Sequence, residues 1–194
     1  MDWLNRQARR VPTWVVYLLG LVPLGFLVWG AIFGGIGPDP VKAIERGLGE
    51  RGLQFLLASL AITPLRRAGL NLLRFRRSLG LLAFVYITLH LVAWVWLDMG
   101  LRWGEMAGDL TKRPFVIIGM IGFVAMIPLA ATSWNGAVRR MGAAAWGRLH
   151  RLAYVAILAG VIHLALLSKV WTTEILVYLT LGLALLAVRL LPRA

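Results

Sequence analysis

Residues 76–97 read RRSLGLLAFVYITLHLVAWVWL, two arginines followed by twenty residues whose only ionisable side chains are Tyr86 and His90. A bilayer core of roughly 30 Å is crossed by about 20 helical residues at 1.5 Å rise each, so this stretch is long and apolar enough to span a membrane. Working outward, five more apolar segments appear, and the full set is 14–33, 52–65, 79–97, 114–132, 146–167 and 175–191. The second is the weakest. Together they predict an all-α integral membrane protein, a six-helix bundle forming one transmembrane domain over residues 1–194. Pro23 and Pro128 fall inside spans, where each is expected to bend its helix and free a carbonyl.

Composition agrees. The chain is 60% hydrophobic with a mean hydropathy of +0.78, against about 45–50% apolar residues in a soluble domain. The stretches between spans are too short for a soluble catalytic domain. Cysteine is absent, which excludes disulfides, thiol nucleophiles, thiolate-bound zinc and iron–sulfur clusters.

The net charge of +13 has an uneven distribution along the chain. The N-terminus, the loops after the second and fourth spans and the C-terminus hold Arg6, Arg9, Arg10, Arg66, Arg67, Arg74, Arg76, Arg77, Arg139, Arg140, Arg148, Arg151, Arg189 and Arg193 against Asp2 alone. The other three loops hold seven cations and seven acids. The whole excess therefore lies on one face, and the positive-inside rule makes that face cytoplasmic, with both termini inside. Membrane topology and lipid headgroups account for the basic residues without nucleic acid. The basic N-terminal stretch precedes a run as long as a span with no small-residue cleavage site, so it reads as a retained first helix.

Every carboxylate can be placed in a loop or at a helix end, which counts against a proton-coupled transporter. The apolar segments instead hold histidine: His90 in the third, His163 in the fifth, and His150 near the cytoplasmic start of the fifth. His90 lies about 16 Å along its helix from Leu79 and His163 about 20 Å from His150. Two neutral imidazoles at one depth are what a six-coordinate heme iron needs. Phe84, Tyr86, Trp94, Ile157 and Val161 are available as apolar walls. The alternative for a single buried histidine is a structural bond to a backbone carbonyl or hydroxyl, and zinc or copper would usually want carboxylate or sulfur as well.

His150 is an additional ligand candidate. The thirteen-residue step from His150 to His163 is out of phase by about 140° on an ideal helix, so a bend or bulge is needed to aim both at one cofactor stack. Arg76 precedes His90 by fourteen residues, close to four turns. Arg76, Arg77, His150 and Arg151 form a cationic set suited to a flavin phosphate, a heme propionate or a quinone head. Most of the nine tryptophans fall near span ends, as an aromatic belt would.

Four strings carry a family resemblance: RRSLGLLAFVYITLH (76–90), KRPFVIIG (112–119), PLAATSW (128–134) and WGRLHRLAYV (146–155). In order and spacing they resemble the MsrQ (formerly YedZ) family, heme-binding membrane subunits of the periplasmic methionine sulfoxide reductase system, which is similar to the ferric reductase transmembrane domain. The resemblance implies heme b on the family's histidines, here His90, His163 and His150, with flavin mononucleotide (FMN) as a further candidate cofactor. It implies a bacterial inner-membrane location. It also implies electrons taken from the quinone pool or a cytoplasmic flavin reductase and passed to MsrP, a periplasmic molybdopterin-containing methionine sulfoxide reductase, for repair of oxidised proteins. Arg76 stands where the larger superfamily has a fourth histidine, which bears on a second, inner heme. A catalytic site is expected on the partner, not on this chain. The alternatives are a stand-alone ferric reductase-type b cytochrome and a transporter or scaffold with structural histidines.

The charge count makes a direct prediction. A reporter fused after residue 194 should behave as cytoplasmic and one inserted near Gly104 as periplasmic; the opposite signal at either site would overturn the orientation.

Overall fold

The computed structural model describes residues 1–168 and 170–189; Lys169 and residues 190–194, including the end of the sixth expected span and Arg193, lie outside the described residues. All regular structure among the described residues is helical. The chain divides into two compact units, Met1–Arg102 and Trp103–Ala194.

In the first unit, α1 (Asp2–Arg10) precedes α2 (Thr13–Phe33), α3 (Pro40–Arg67) and α4 (Arg76–Ala93), which runs on into a π-helical turn, Trp94–Asp98. The second expected span proves to be the core of a much longer helix. Asp39 caps α3 by accepting from the Lys42 amide at 3.1 Å, and Pro40 occupies the first turn, where a missing N–H has no cost. The helix therefore starts twelve residues before the apolar stretch and carries Lys42, Glu45, Arg46, Glu50 and Arg51 in its first turns. Arg46 Nε donates to Glu50 Oε1 at 2.7 Å one turn on. Glu45 and Glu50 thus lie within a helix, not in a loop, because capping and i,i+4 pairing extend a helix past the point where hydropathy fades.

Helix α2 buries only Gly20 and exposes Leu18, Leu19, Phe26, Trp29 and Phe33. An apolar face that wide suits lipid rather than water. Where α2 meets α4, a methyl group on Gly20 would strike the Leu82 side chain. Beside it the fully buried Tyr86 donates its hydroxyl to Gly20 O at 2.7 Å and accepts from Leu24 N at 2.9 Å. Pro23 lacks a donor, and Tyr86 bridges the neighbouring rung of the helix. Tyr86, expected as a cofactor wall, is instead packed with Leu48 and Ala93 in a core that Leu24, Leu27, Ile44, Phe55 and Leu89 complete. Helix α1 is tied to the α3–α4 connection, where Asn5 donates to Gly69 O at 2.9 Å and accepts from Asn71 N at 2.8 Å.

The second unit comprises α5 (Trp103–Lys112), α6 (Pro114–Ala131), α7 (Asn135–Met141), α8 (Ala143–Leu149), α9 (Leu152–Leu167) and α10 (Thr173–Ala187). An Asp109–Arg113 pair at 2.9 Å and Pro114 in the first turn mark the start of α6. Helix α6 packs along α9, and α10 against α9. The fifth expected span is broken at His150 and Arg151, between α8 and α9.

By length and composition four stretches can cross a membrane: Thr13–Phe33, Leu73–Asp98, Pro114–Ala131 and Ala143–Leu167. Helices also stand at the other two expected spans, but the charge on α3 and the 15-residue length of α10 keep them below that standard.

Candidate functional site: two imidazole seats and a basic turn

His90 lies three residues before the end of α4 and faces α3. Its Nδ1 is 2.8 Å from the carbonyl oxygen of Glu45. A carbonyl can only accept, so Nδ1 carries the proton and the lone pair of the neutral ring is on Nε2. One turn along α3 from Glu45, the ring lies over Gly49, where a methyl group would stand 3.2 Å from Nδ1 and 3.3 Å from Cε1. At Gly52 the helices are close, and a methyl there would lie 3.3 Å from the backbone nitrogen of Ile87.

The second unit repeats this arrangement. His163, four residues before the end of α9, has its Nδ1 2.7 Å from the carbonyl oxygen of Phe115 on α6. One turn along, a methyl on Gly119 would stand 2.8 Å from Nδ1 and 3.1 Å from Cε1. At Gly122 a methyl would lie 3.1 Å from Ala159 Cβ and 4.0 Å from the backbone nitrogen of Gly160. Positions 45, 49 and 52 on one helix correspond to 115, 119 and 122 on the other, and 87 and 90 to 160 and 163. Sequence reasoning found both histidines and missed the seats. Their signal was a G-x-x-G pair at 49–52 and again at 119–122, faint in a chain with 21 glycines.

His150 is held differently. It sits at the α8–α9 break with φ −70° and ψ −3°, and its Nε2 is 3.1 Å from Thr132 Oγ1. Thr132 donates its own proton to Pro128 O at 2.6 Å, so the network assigns the donated proton to His150 Nε2. Trp146 stacks on the imidazole at 3.7 Å between centroids and donates its Nε1–H to Thr132 O at 2.9 Å. The ring is thus clamped with its proton on the nitrogen opposite to that in His90 and His163.

Of the cationic set, Arg76 and Arg77 share the first turn of α4, where Arg76 O accepts from Ser59 Oγ at 3.2 Å. His150 and Arg151 share the α8–α9 break. Cations at a helix N-terminus oppose the helix dipole, so Arg76 and Arg77 do not serve the stability of α4. Near His90, burial and then the charge of Asp98 push the Glu45 carboxyl up to about 7.

Residues 49–161 match the family model described as "Ferric reductase like transmembrane component", a segment that holds His90 and His150 and stops two residues short of His163. Several relatives named protein-methionine-sulfoxide reductase heme-binding subunit MsrQ are similar over most of their length. The one from Caulobacter vibrioides is 48% identical over 80% of this chain and 75% of its own. That from Brucella anthropi is 42% identical over 91% of this chain and 80% of its own. The Agrobacterium fabrum protein is 41% identical over 96% and 87%. No solved structure matches.

The hydrogen-bond pattern is directly measurable. In metal-free protein, imidazole nitrogen-15 shifts should report Nδ1–H for His90 and His163 and Nε2–H for His150. An Nε2–H form at His90 or His163 would contradict the seats.

Proposed function

We propose, from the premise that this chain belongs to the ferric reductase-like transmembrane family and within it to the MsrQ heme-binding subunits, that it carries electrons across the bacterial inner membrane on heme b to a methionine sulfoxide reductase. The observation that carries the reading is the pair of seats, each of which presents a neutral imidazole with its proton on Nδ1. That is the tautomer a histidine binding iron through Nε2 would need, and a carbonyl acceptor on the far nitrogen commonly supports a metal-bound histidine. The glycine beneath each ring leaves room for it in a close helix pair.

His90 and His163 are the proposed iron ligands. When bound, heme supplies a one-electron iron couple in a medium where charge is otherwise costly. The bonds to Glu45 O and Phe115 O fix a proton on Nδ1 of each ring and leave Nε2 as the nitrogen that would bind iron. Among the described residues no three histidine, aspartate or glutamate side chains converge as a non-heme ion would want, whereas heme asks for only one imidazole on each face. His150 would ligate a second heme only by giving up its bond to Thr132 or by using Nδ1.

Electrons enter, on this reading, from the quinone pool or a cytoplasmic flavin reductase, with FMN as a carrier held by Arg76, Arg77, His150 and Arg151. They leave to the periplasmic molybdopterin subunit MsrP. Both termini are cytoplasmic, and α3 and α10 complete six spans.

An absorption spectrum of purified protein tests the ligands. His90→Ala and His163→Ala should each abolish the low-spin bis-histidine bands in folded, inserted protein, with His150→Ala doing less; loss of all heme with His150→Ala alone would show the assignment to be wrong. The entry point has its own test. A charge-assisted hydrogen bond contributes about 1.5–3 kcal/mol, so Arg76→Ala or Arg77→Ala should slow stopped-flow reduction by quinol or reduced flavin about tenfold while the dithionite-reduced spectrum is kept. Unchanged rates in both variants would leave the arginines with topology alone.

A further inference from the structure

The two seats differ in sequence yet share one geometry, and their glycines do two different jobs. A methyl on Gly52 would meet Ile87, including its backbone nitrogen, and one on Gly122 would meet Ala159, Ala156 O and the Gly160 nitrogen. Those are helix-packing glycines of the kind that let membrane helices approach closely. Gly49 and Gly119 are unlike them. The three nearest atoms to a methyl at Gly49 are Nδ1, Cε1 and Cγ of His90, and at Gly119 they are the same three atoms of His163. Both glycines lie inside α-helices, so no turn or positive φ calls for them. Each is a poorer helix former than alanine. What each provides is space under an imidazole, four residues beyond the carbonyl that receives its Nδ1–H.

We infer that Gly49 and Gly119 are a duplicated pair of positioning residues, each the floor of a slot that sets the tilt of the histidine above it. The helix pairs α3–α4 and α6–α9 are then two copies of one ligand-presenting device. The inference rests on the reading of His90 and His163 as iron ligands. With the carbonyl fixing one end of the ring and the glycine its height, only a small arc of orientations is left for Nε2. The slots are not equally tight. A methyl at 2.8 Å from His163 must displace the ring, whereas one at 3.2 Å from His90 requires a shift of a few tenths of an ångström.

The test compares Gly119→Ala and Gly49→Ala with Gly122→Ala and with Gly104→Ala, where a methyl meets nothing within 4 Å. Heme per protein, the electron paramagnetic resonance of the ferric protein and its midpoint potential are read on each. Both seat variants should retain folded protein but show a moved low-spin signal or a new high-spin fraction, with a shifted potential. The effect should be larger for Gly119→Ala than for Gly49→Ala and absent for Gly104→Ala. Gly122→Ala should reduce folded protein and leave the signal of the remainder unmoved. If Gly119→Ala does not fold, the milder Gly49→Ala decides alone. Wild-type signals in the seat variants, or less heme with an unmoved signal, would overturn the positioning role while the ligand reading stands. A low-spin signal that survives His90→Ala and His163→Ala would remove the ligand reading, and the positioning role with it.

Discussion

An imidazole among apolar helices must find a partner for its N–H before its other nitrogen can offer a lone pair, and the partner chosen decides which nitrogen that is. In this protein the partner is a backbone carbonyl for His90 and again for His163. Carbonyls in the body of an α-helix already accept from the amide four residues on, but each oxygen has a second lone pair. Using it requires the donor ring to come against the helix backbone, which a side chain at the facing position would prevent. Hence the glycine one turn on, and hence the close approach at Gly52 and Gly122. The bond, the glycine and the helix crossing are one constraint seen at three levels.

The same logic explains why His150 looks different. It stands at a helix break, where Thr132 offers a hydroxyl whose own proton is spent on Pro128 O, so the histidine must be the donor. Trp146 then covers the ring and fixes its plane. Three histidines in one small chain therefore fall into two chemical kinds, distinguished by the type of acceptor.

Apolar surroundings also shape the rest of the first unit. A buried tyrosine hydroxyl would be costly alone, and Tyr86 finds both a donor and an acceptor in the backbone of α2 beside Pro23. Glu45 and Glu50 ride on the extended start of α3, and burial holds the Glu45 carboxyl near neutrality in pH terms rather than in the usual carboxylate range. Each carboxylate was expected in a loop or at a helix end; Glu45 and Glu50 stand in the starting turns of α3, because the Asp39 cap and the Arg46–Glu50 pair let the helix extend into a polar zone.

Much was legible in the residue order alone: the membrane class from the apolar runs, the all-α fold and the three histidines. Element ends were less legible, since α3 starts at Pro40 rather than near Gly52. Hydropathy reports where a helix is greasy, and caps decide where it begins. The state of the histidines was beyond the sequence altogether. Which nitrogen of each histidine holds its proton depends on Glu45 O, Phe115 O and Thr132 Oγ1. Two of these three acceptors are main-chain atoms that every residue carries, brought to the ring from 45 and 48 positions away. No side-chain pattern distinguishes one carbonyl from another, so only the packing of α3 on α4 and of α6 on α9 could make the choice.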